Sequence, residues 1–231
     1  SGSVFDELGR FFAAMDQPSI DGLNTFAVSR FARERGLKVV LSGLGGDELF
    51  GGYKSFRDVP RLAKWNRQLH RMGPLRAGLG AALRHADRPQ WRRLGDMLGQ
   101  PASLGSAYAA LRGIYTRAEA CKLTAKYTGM APAAAIEDDG VDAGGDFIEQ
   151  DAVSRLELTR YMRCQLLRDS DVMSMAWGLE LRVPFLDHGL VDTLARVPAA
   201  VRLQAGKRFL LDAVPEIPEW VANQPKRGFL F

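Results

Sequence analysis

Apolar residues recur at helical spacing along much of the chain, and one short apolar run interrupts this pattern. Residues 4–15 place large apolar side chains three and four positions apart, which predicts a helix that the Asp-Gln-Pro sequence after Met15 ends. A second helix is predicted to end at Gly36. Residues 37–41 then form a β-branched apolar run, which predicts a buried strand.

A basic stretch follows, in which residues 57–93 carry ten Lys and Arg against two Asp. Leu62, Trp65, Leu69 and Met72 recur at helical spacing, which predicts that they form a buried helix face and the basic residues the solvated one. Tryptophans among basic residues raise nucleic-acid binding as an alternative. Because a basic stripe alone is weak evidence, we do not expect a nucleic-acid partner.

The third strongly patterned segment covers residues 152–177, which contain neither Gly nor Pro. One long helix, or two abutting ones, is therefore predicted here. Ser154 and Glu157 match the spacing of a capping box at its beginning.

Two polar stretches border this helix. Residues 128–145 are predicted to be a solvated loop and not a calcium site, because the acids in and just after this stretch do not fall in the register of a calcium-binding loop. After the helix, Glu180, Arg182 and Asp187 flank the apolar residues 183–186, which predicts a buried, salt-bridged junction.

Composition and charge set limits on the class of protein. With 231 residues and 46% hydrophobic residues, the chain can bury one sizeable core and is predicted to be a single globular unit. The net charge of +4 permits anionic ligands. Cys121 and Cys164 lie in no metal-binding spacing, so a reducing cytoplasm is the expected compartment. No apolar run is long enough to span a membrane, and no membrane partner is expected.

The strongest chemical signal is the glycine-rich segment, residues 42–53, which directly follows the predicted strand. It holds five glycines, and glycine lets a ligand approach the backbone closely. Successive N–H groups in such a turn bind anions, typically phosphate. Asp47 and Glu48 would repel a bare phosphate, so a divalent cation between these acids and the phosphates is expected. The segment therefore predicts a site for nucleotide phosphates and Mg²⁺.

The alternative for the glycine-rich segment is a tight turn with a purely structural role. Three common motifs are absent from it: the phosphate loop ending in Gly-Lys-Ser/Thr, the three-glycine dinucleotide fingerprint, and the nucleophile elbow around Ser42. Physical reasoning from composition alone leaves both interpretations open.

Four segments, in the same order along the chain, closely resemble the asparagine synthetase (glutamine-hydrolysing) family. They are residues 15–25, 42–53, 173–187 and 225–229. The glycine-rich segment, SGLGGDELFGGY, resembles the family's second nucleotide-binding segment.

This resemblance implies a fold and a reaction. Members join an N-terminal glutaminase domain to a C-terminal synthetase domain of the ATP-pyrophosphatase (adenine nucleotide α-hydrolase-like) type. ATP activates the side-chain carboxylate of aspartate as an aspartyl-adenylate, and glutamine-derived ammonia then gives asparagine and AMP. For this chain, we expect a mainly α structure with a small parallel β remnant of that α/β domain.

The resemblance also implies roles for individual residues. The cofactor-binding residues would be Ser42, Gly43, Leu44, Gly45 and Gly46, with the first three lining the AMP moiety through their backbones. Asp47 would ligate Mg²⁺–pyrophosphate. Two cations would be catalytic: Arg168 would bind substrate or phosphate, and Lys226 would neutralise charge on the reacting phosphate.

Three departures from the family pattern qualify this picture. The family's first phosphate loop, Ser-Gly-Gly-x-Asp-Ser, does not occur in the chain, and the chain begins at Ser1 without a nucleophilic cysteine or a glutaminase domain. Position 44 is leucine, where several members carry a glutamate or tyrosine that faces the substrate. We therefore expect residues 1–231 to be the C-terminal portion of a synthetase domain, inactive alone, whose glutaminase domain belongs to the same longer chain.

The expected ligands are ATP, aspartate and ammonia, and a homodimer is left open. Two alternatives remain for the function. A related ATP-dependent enzyme could form an amide on a different acceptor, which Leu44 keeps open. A non-catalytic helical binding module that kept the fold without the chemistry is the other.

Overall fold

The computed structural model describes residues 4–19, 21–129 and 149–224, and these residues are mostly helical. Their α-helices are α1 (Leu8–Ala14), α2 (Gly22–Glu34), α3 (Gly46–Phe50), α4 (Ser55–His70), α5 (Gly73–Arg84), α6 (Pro89–Leu98), α7 (Leu104–Arg112), α8 (Arg117–Thr128), α9 (Glu149–Leu156), α10 (Leu167–Met175), α11 (His188–Leu194), α12 (Ala199–Arg202), α13 (Arg208–Ala213) and α14 (Glu219–Ala222). Short 3₁₀ helices cover Val4–Glu7, Pro184–Leu186 and Ala205–Lys207, and a π-helix covers Glu157–Leu166. No described helix is both long and apolar enough to cross a membrane.

The sheet of the described chain has two parallel strands, β1 (Val39–Leu41) and β2 (Glu180–Arg182). Their register runs from Val39 opposite Glu180 to Leu41 opposite Arg182. The N–H of Ser42 continues the ladder by donating to the carbonyl oxygen of Arg182 at 2.8 Å. The expected mainly α fold with a small parallel β component is thus confirmed.

The burial predicted for the first strand is wrong. Val39 and Leu41 are both exposed, and Leu41 keeps 74% of its surface. An apolar run of this kind is typical of a strand covered on both faces. The described residues of this chain do not supply that cover.

The predicted buried junction after the long helix is also wrong. The Nε of Arg182 lies 2.8 Å from the Oε1 of Glu180, but both side chains are exposed. They point to the same side of β2 because alternate residues of a strand share a face. Asp187 caps α11 instead, since its Oδ1 accepts a hydrogen bond from the N–H of Leu190 at 3.1 Å.

Contacts within the chain divide it into two compact units, whereas composition predicts one. Unit 1 consists of Ser1–Gly52 and Glu157–Phe231, and unit 2 consists of Tyr53–Leu156. Composition reports how much apolar surface can be buried but not where along the chain the contacts cluster, which explains the difference.

Unit 1 contains two apolar clusters. The first is built on Phe11, Phe26 and Met173, with Trp177 packed on Phe26 at 5.0 Å between ring centroids. The second is built on Leu49, Phe50 and Leu194, with Leu158, Phe185, Leu190, Val191, Phe209 and Leu210 around them. Because Leu49 and Phe50 belong to α3, this second cluster anchors the helix that directly follows the strand and turn.

In unit 2, the buried face of α4 differs from the predicted one. Trp65 and Met72, which the spacing assigned to a buried face, are exposed. The buried row is Phe56, Val59, Ala63 and Asn66. This row includes a small residue and a polar one, which a search for large apolar residues at helical spacing does not detect.

The long helix is confirmed, with two corrections. Helical structure runs without interruption from Glu149 to Met175, and its middle ten residues are π-helical. Ser154 lies inside this helix, so the predicted capping box at Ser154 and Glu157 is wrong. Most of the predicted loop at 128–145 lies outside the described residues.

Candidate functional site

The glycine-rich segment connects β1 to α3 through a turn held by its own hydrogen bonds. The N–H of Leu44 donates to the Oγ of Ser42 at 3.3 Å, and the N–H of Gly46 donates to the carbonyl oxygen of Gly43 at 3.2 Å. The turn therefore follows β1 at once and leads into α3 within four residues, as expected for a ligand-binding turn at the end of a parallel strand.

Gly45 has a structural role in this turn. Its φ of +96° lies in the region that residues with a Cβ rarely adopt. A Cβ at this position would also lie 2.7 Å from the Cδ2 of Leu186. Both observations require glycine here whether or not a ligand binds.

Gly43 differs from Gly45 in both respects. It is exposed, and a Cβ added to it would meet no atom within 4 Å. Folding therefore does not require glycine at this position. Open space above an exposed backbone is what a ligand that approaches the main chain needs.

Asp47, the predicted metal ligand, lies close to a lysine that the sequence analysis did not select. The Nζ of Lys207 lies 2.6 Å from the Oδ1 of Asp47, and both side chains are partly exposed. Gly52 lies directly beneath this carboxylate, since a Cβ there would come within 1.9 Å of Asp47 Oδ1. The second glycine pair of the segment thus makes room for the acid.

The backbone of Lys207 is strained. Its φ of 57° and ψ of 35° are left-handed, and among the described residues it alone combines a side chain with positive φ. This conformation costs on the order of 1–2 kcal/mol and persists only where surrounding structure enforces it. Strain of this kind concentrates at functional sites. Nothing in the sequence pairs Lys207 with Asp47, because the two are far apart along the chain.

The described residues fit Mg²⁺ only as a partial site. They contain no group of three or more His, Cys, Asp or Glu side chains placed to hold a metal ion. Glu48, the second acid of the segment, is only 1% exposed. Asp47 remains as one carboxylate. Mg²⁺ often binds one or two carboxylates together with substrate phosphates, and Asp47 fits that mode.

A second polar cluster, which we call the Asp169 cluster, consists of Ser19, Asp21, Tyr161, Gln165 and Asp169. The hydroxyl of Ser19 donates to the Oδ2 of Asp169 at 2.5 Å. Tyr161 and Gln165, one turn apart on the π-helix, donate to the Oδ2 of Asp21 at 3.1 and 3.3 Å. These bonds join the segment after α1, which lies within the matched residues 15–25, to the long helix.

Asp169 is buried, and burial raises the pKa of its carboxyl above the ordinary value of 3.8. The hydrogen bond from Ser19 opposes this shift, and the nearby carboxylates of Asp21 and Asp16 add to it. The surroundings of Asp169 therefore stabilise its charged form less than water does.

Of the two predicted catalytic cations, the described residues include Arg168, which is paired with Asp16 and not with a residue of the glycine-rich segment. Arg168 donates from its Nε to the Oδ2 of Asp16 at 2.7 Å, and both side chains are exposed. Arg168 directly precedes Asp169 in the sequence, and its partner Asp16 lies in the same segment as Ser19 of the Asp169 cluster. Lys226 lies outside the described residues.

Comparison with protein families matches residues 2–231 to the family described as asparagine synthase. A Bacillus subtilis protein named asparagine synthetase (glutamine-hydrolyzing) 1 is 28% identical over 97% of this chain and 35% of its own length. A Mycobacterium tuberculosis protein named "Putative asparagine synthetase (glutamine-hydrolyzing)" is 31% identical over 93% of this chain and 33% of its own. Amidase chry2 of Gibberella zeae is 22% identical over 95% of this chain. The chain thus spans about a third of the length of the curated relatives it matches. No solved structure matches it significantly.

Proposed function

This chain belongs to the asparagine synthase family, and from that premise we propose that it is the C-terminal portion of a synthetase domain in a longer protein. That protein would use ATP to amidate aspartate, and its glutaminase domain would supply the ammonia. The family has the ATP-pyrophosphatase fold, in which a parallel sheet is covered by helices.

The observation that best supports a partial domain is the exposure of β1. Val39 and Leu41 are apolar residues of a parallel strand, yet both are exposed in this chain. Burying a leucine side chain is worth about 1.5–3 kcal/mol, so this surface is well suited to be covered. We infer that further segments of the longer protein cover it and supply the phosphate loop that this sequence lacks.

For the glycine-rich segment, we propose two functions. The exposed turn at Ser42, Gly43 and Leu44, continued by Gly45 and Gly46, would hold the AMP moiety through backbone groups. Asp47 would hold Mg²⁺, which when bound would draw negative charge off the leaving pyrophosphate. Lys207, whose Nζ lies 2.6 Å from Asp47 Oδ1, places a cationic side chain at the same site.

In the proposed first step, a side-chain carboxylate oxygen of aspartate attacks the α-phosphorus of ATP. The bond from that phosphorus to the bridging oxygen breaks, and pyrophosphate leaves with the electron pair. Ammonia then attacks the activated carbonyl carbon, loses a proton, and expels AMP to give asparagine. Because negative charge accumulates on the leaving pyrophosphate, cations such as Lys207 and Lys226 would lower the barrier electrostatically.

Arg168 would act on the acceptor side of the reaction. Its guanidinium is exposed and paired with Asp16, a surface pair that contributes little to stability and can exchange partners. A guanidinium can clamp a carboxylate with two hydrogen bonds, and aspartate carries two carboxylates. We propose that Arg168 exchanges Asp16 for a substrate carboxylate.

The acceptor itself is the least constrained part of the proposal. Leu44 stands where several members of the family carry a glutamate or tyrosine, and the Gibberella zeae relative is named an amidase instead of an asparagine synthetase. The alternative is therefore an ATP-dependent amide-forming enzyme with another carboxylate acceptor. For the compartment we propose the cytoplasm, since Cys121 and Cys164 are free thiols.

The experiment is isotope exchange between pyrophosphate and ATP, measured on the longer protein with a panel of carboxylate acceptors. We expect exchange that requires aspartate, and asparagine and AMP when ammonia is added. Asp47→Asn should reduce exchange at least about tenfold, because it removes a charged ligand worth about 1.5–3 kcal/mol.

Other outcomes would separate the alternatives. Exchange with a different carboxylate and not with aspartate would favour the related amide-forming enzyme. Cleavage of ATP to ADP and phosphate, or no acceptor-dependent exchange at all, would contradict the proposed function.

A further inference from the structure

Most of the exposed surface of helix α5 is apolar, and its exposed charge is Arg84 at the C-terminal end. Every exposed residue from Gly73 to Ala82 is apolar or glycine. The helix contains two arginines, and both are directed at backbone oxygens of unit 2: Arg76 donates to the carbonyl of Gln100, and the Nε of Arg84 donates to the carbonyl of Gly95 at 3.3 Å. Arg76 is half-buried, whereas Arg84 stays exposed at the C-terminal end of the helix.

The apolar residues form one row, which we call the α5 face: Met72, Leu75, Leu79 and Ala82. They follow each other at spacings of three and four, so they lie along one side of the helix. Leu75 keeps 60% of its surface and Leu79 keeps 39%. The buried side of α5 contains Gly80, which packs closely on α6, so the fold of unit 2 leaves the α5 face uncovered within the described residues.

Exposed cations stand at both ends of the α5 face. Arg71 directly precedes Met72, and Arg88 follows the C-terminal end of the helix. Neither arginine has an ion-pair partner among the described residues, in contrast to Arg67 and Arg92, which pair with Glu149 and Glu119. His70 and His85 are exposed at the same two ends. The α5 face is therefore an exposed apolar row with an arginine near each end that is unpaired within the described chain.

We propose that the α5 face docks on the surface of a lipid bilayer that contains anionic phospholipid. The helix would lie flat, with Leu75 and Leu79 entering the boundary between headgroups and acyl chains, and with Arg71 and Arg88 at the headgroup phosphates. This arrangement matches in-plane amphipathic helices, whose binding combines buried apolar area with attraction to anionic lipid.

The composition of the face favours lipid over nucleic acid. Aliphatic side chains such as Met72, Leu75 and Leu79 have no counterpart on a phosphodiester backbone, where binding relies on cations and on aromatic stacking. An anionic bilayer offers hydrocarbon to the apolar row of the α5 face and headgroup phosphates to the arginines at its ends, so it complements both. A helix lying in the plane of the bilayer needs no membrane-spanning segment, so the expectation of no membrane partner, based on the lack of such a segment, does not apply to it.

The test is co-sedimentation of the longer protein with vesicles of phosphatidylcholine alone and of phosphatidylcholine mixed with phosphatidylglycerol. We expect binding to the mixed vesicles that weakens with added salt. The variant Leu75→Asn/Leu79→Asn should bind about tenfold more weakly or worse, and Arg71→Gln/Arg88→Gln should lose about tenfold.

Leu111→Asn is the matched control, since Leu111 is an exposed leucine of α7 in the same unit, with 42% of its surface accessible. It should bind like the wild type, and all variants should keep the wild-type unfolding midpoint because the changed residues are exposed. Equal sedimentation with both vesicle types would overturn the proposal. So would full binding by the leucine variant together with loss in the arginine variant and competition by duplex DNA, since that result would assign the surface to nucleic acid.

Discussion

At the scale of single residues, replacing glycine by alanine should have different effects on stability at Gly45 and at Gly43. Gly45→Ala forces a side chain into a left-handed backbone beside Leu186 and should lower the free energy of unfolding by about 1–3 kcal/mol. Gly43→Ala fills open space and should change it by less than about 0.5 kcal/mol. Urea denaturation of both variants measures the difference.

The affinity of the same two variants for AMP tests the proposed function of the turn. If Gly43 is the point of close approach, Gly43→Ala should weaken AMP binding although it leaves stability unchanged. AMP affinity that stays at the wild-type level would remove Gly43 from the proposed site and leave the turn with a structural role only.

A second residue-scale prediction concerns Asp169. Because burial raises the pKa of this carboxyl, the folded state holds the proton more tightly than the unfolded chain. The contribution of this group to stability is therefore complete below pH 3.8 and is lost as the pH rises through the folded-state pKa. Asp169→Asn keeps an oxygen that can accept the Ser19 hydroxyl but cannot ionise. The wild type should lose stability relative to this variant as the pH rises, measured by urea denaturation from pH 3 to pH 8.

Parallel pH curves for the wild type and Asp169→Asn would contradict this interpretation. Far-UV circular dichroism at each pH establishes that both proteins stay folded before denaturant is added.

At the scale of elements, α8 should show the opposite pH dependence. Its capping box is formed by Thr116 and Glu119: the Thr116 N–H donates to Glu119 Oε2 at 2.8 Å, and the Glu119 N–H donates to Thr116 Oγ1 at 3.2 Å. That backbone hydrogen bond from Thr116, with help from Arg92, lowers the pKa of Glu119 below 4.5. Stability from this group is present above pH 4.5 and is lost as the pH falls through the folded-state pKa.

Glu119→Gln tests this prediction, because glutamine keeps an acceptor for the cap but carries no charge. The wild type should be more stable than the variant at neutral pH and equal to it in acid. A constant difference across the acid range would show that the charge of Glu119 does not contribute.

Element prediction from sequence was successful for the long helix and failed for the buried face of α4. The long helix through Arg168 was found because 26 consecutive positions lack Gly and Pro. The face of α4 was missed because its buried row includes Ala63 and Asn66. The Ser154 capping box was wrong because that spacing also occurs inside helices. The π-helix Glu157–Leu166 has no sequence signature of its own. Tyr161 and Gln165 within it make tertiary hydrogen bonds to Asp21, which the sequence does not show.

The candidate site was predictable where its residues are contiguous and not where folding brings them together. Ser42 to Asp47 form one segment, so the strand, the turn and the acid could be identified from the sequence. Lys207 could not, because its relevance follows from a 2.6 Å contact across unit 1. The position of Arg168 beside Asp16 also depends on how α10 faces its neighbours, which a sequence does not determine at that level.

At the scale of the whole molecule, the exposed strand gives a prediction that compares this chain with the longer protein. Leu41→Asn should change the stability of this chain by less than about 0.5 kcal/mol, because Leu41 is already exposed. In the longer protein the same substitution should cost at least about 1 kcal/mol, since the covering segments would then bury a polar side chain. Thermal denaturation of both proteins, with and without the substitution, gives the comparison.

Leu123→Asn on α8, where the leucine is also exposed, serves as the control and should be close to neutral in both proteins. If Leu41→Asn is as harmless in the longer protein as in this chain, no further segment covers β1, and the proposal of a partial domain is wrong.

The central claim is that Asp47 and the glycine-rich segment hold the pyrophosphate side of ATP through Mg²⁺. Calorimetric titration of the longer protein with Mg²⁺–pyrophosphate and with AMP tests it most directly, on the wild type, on Asp47→Asn and on Asp212→Asn, an exposed acid of α13. We expect Asp47→Asn to weaken Mg²⁺–pyrophosphate at least about tenfold and to spare AMP, and Asp212→Asn to bind both like the wild type. Mg²⁺–pyrophosphate that does not bind the wild type, or that binds Asp47→Asn equally well, would contradict the claim.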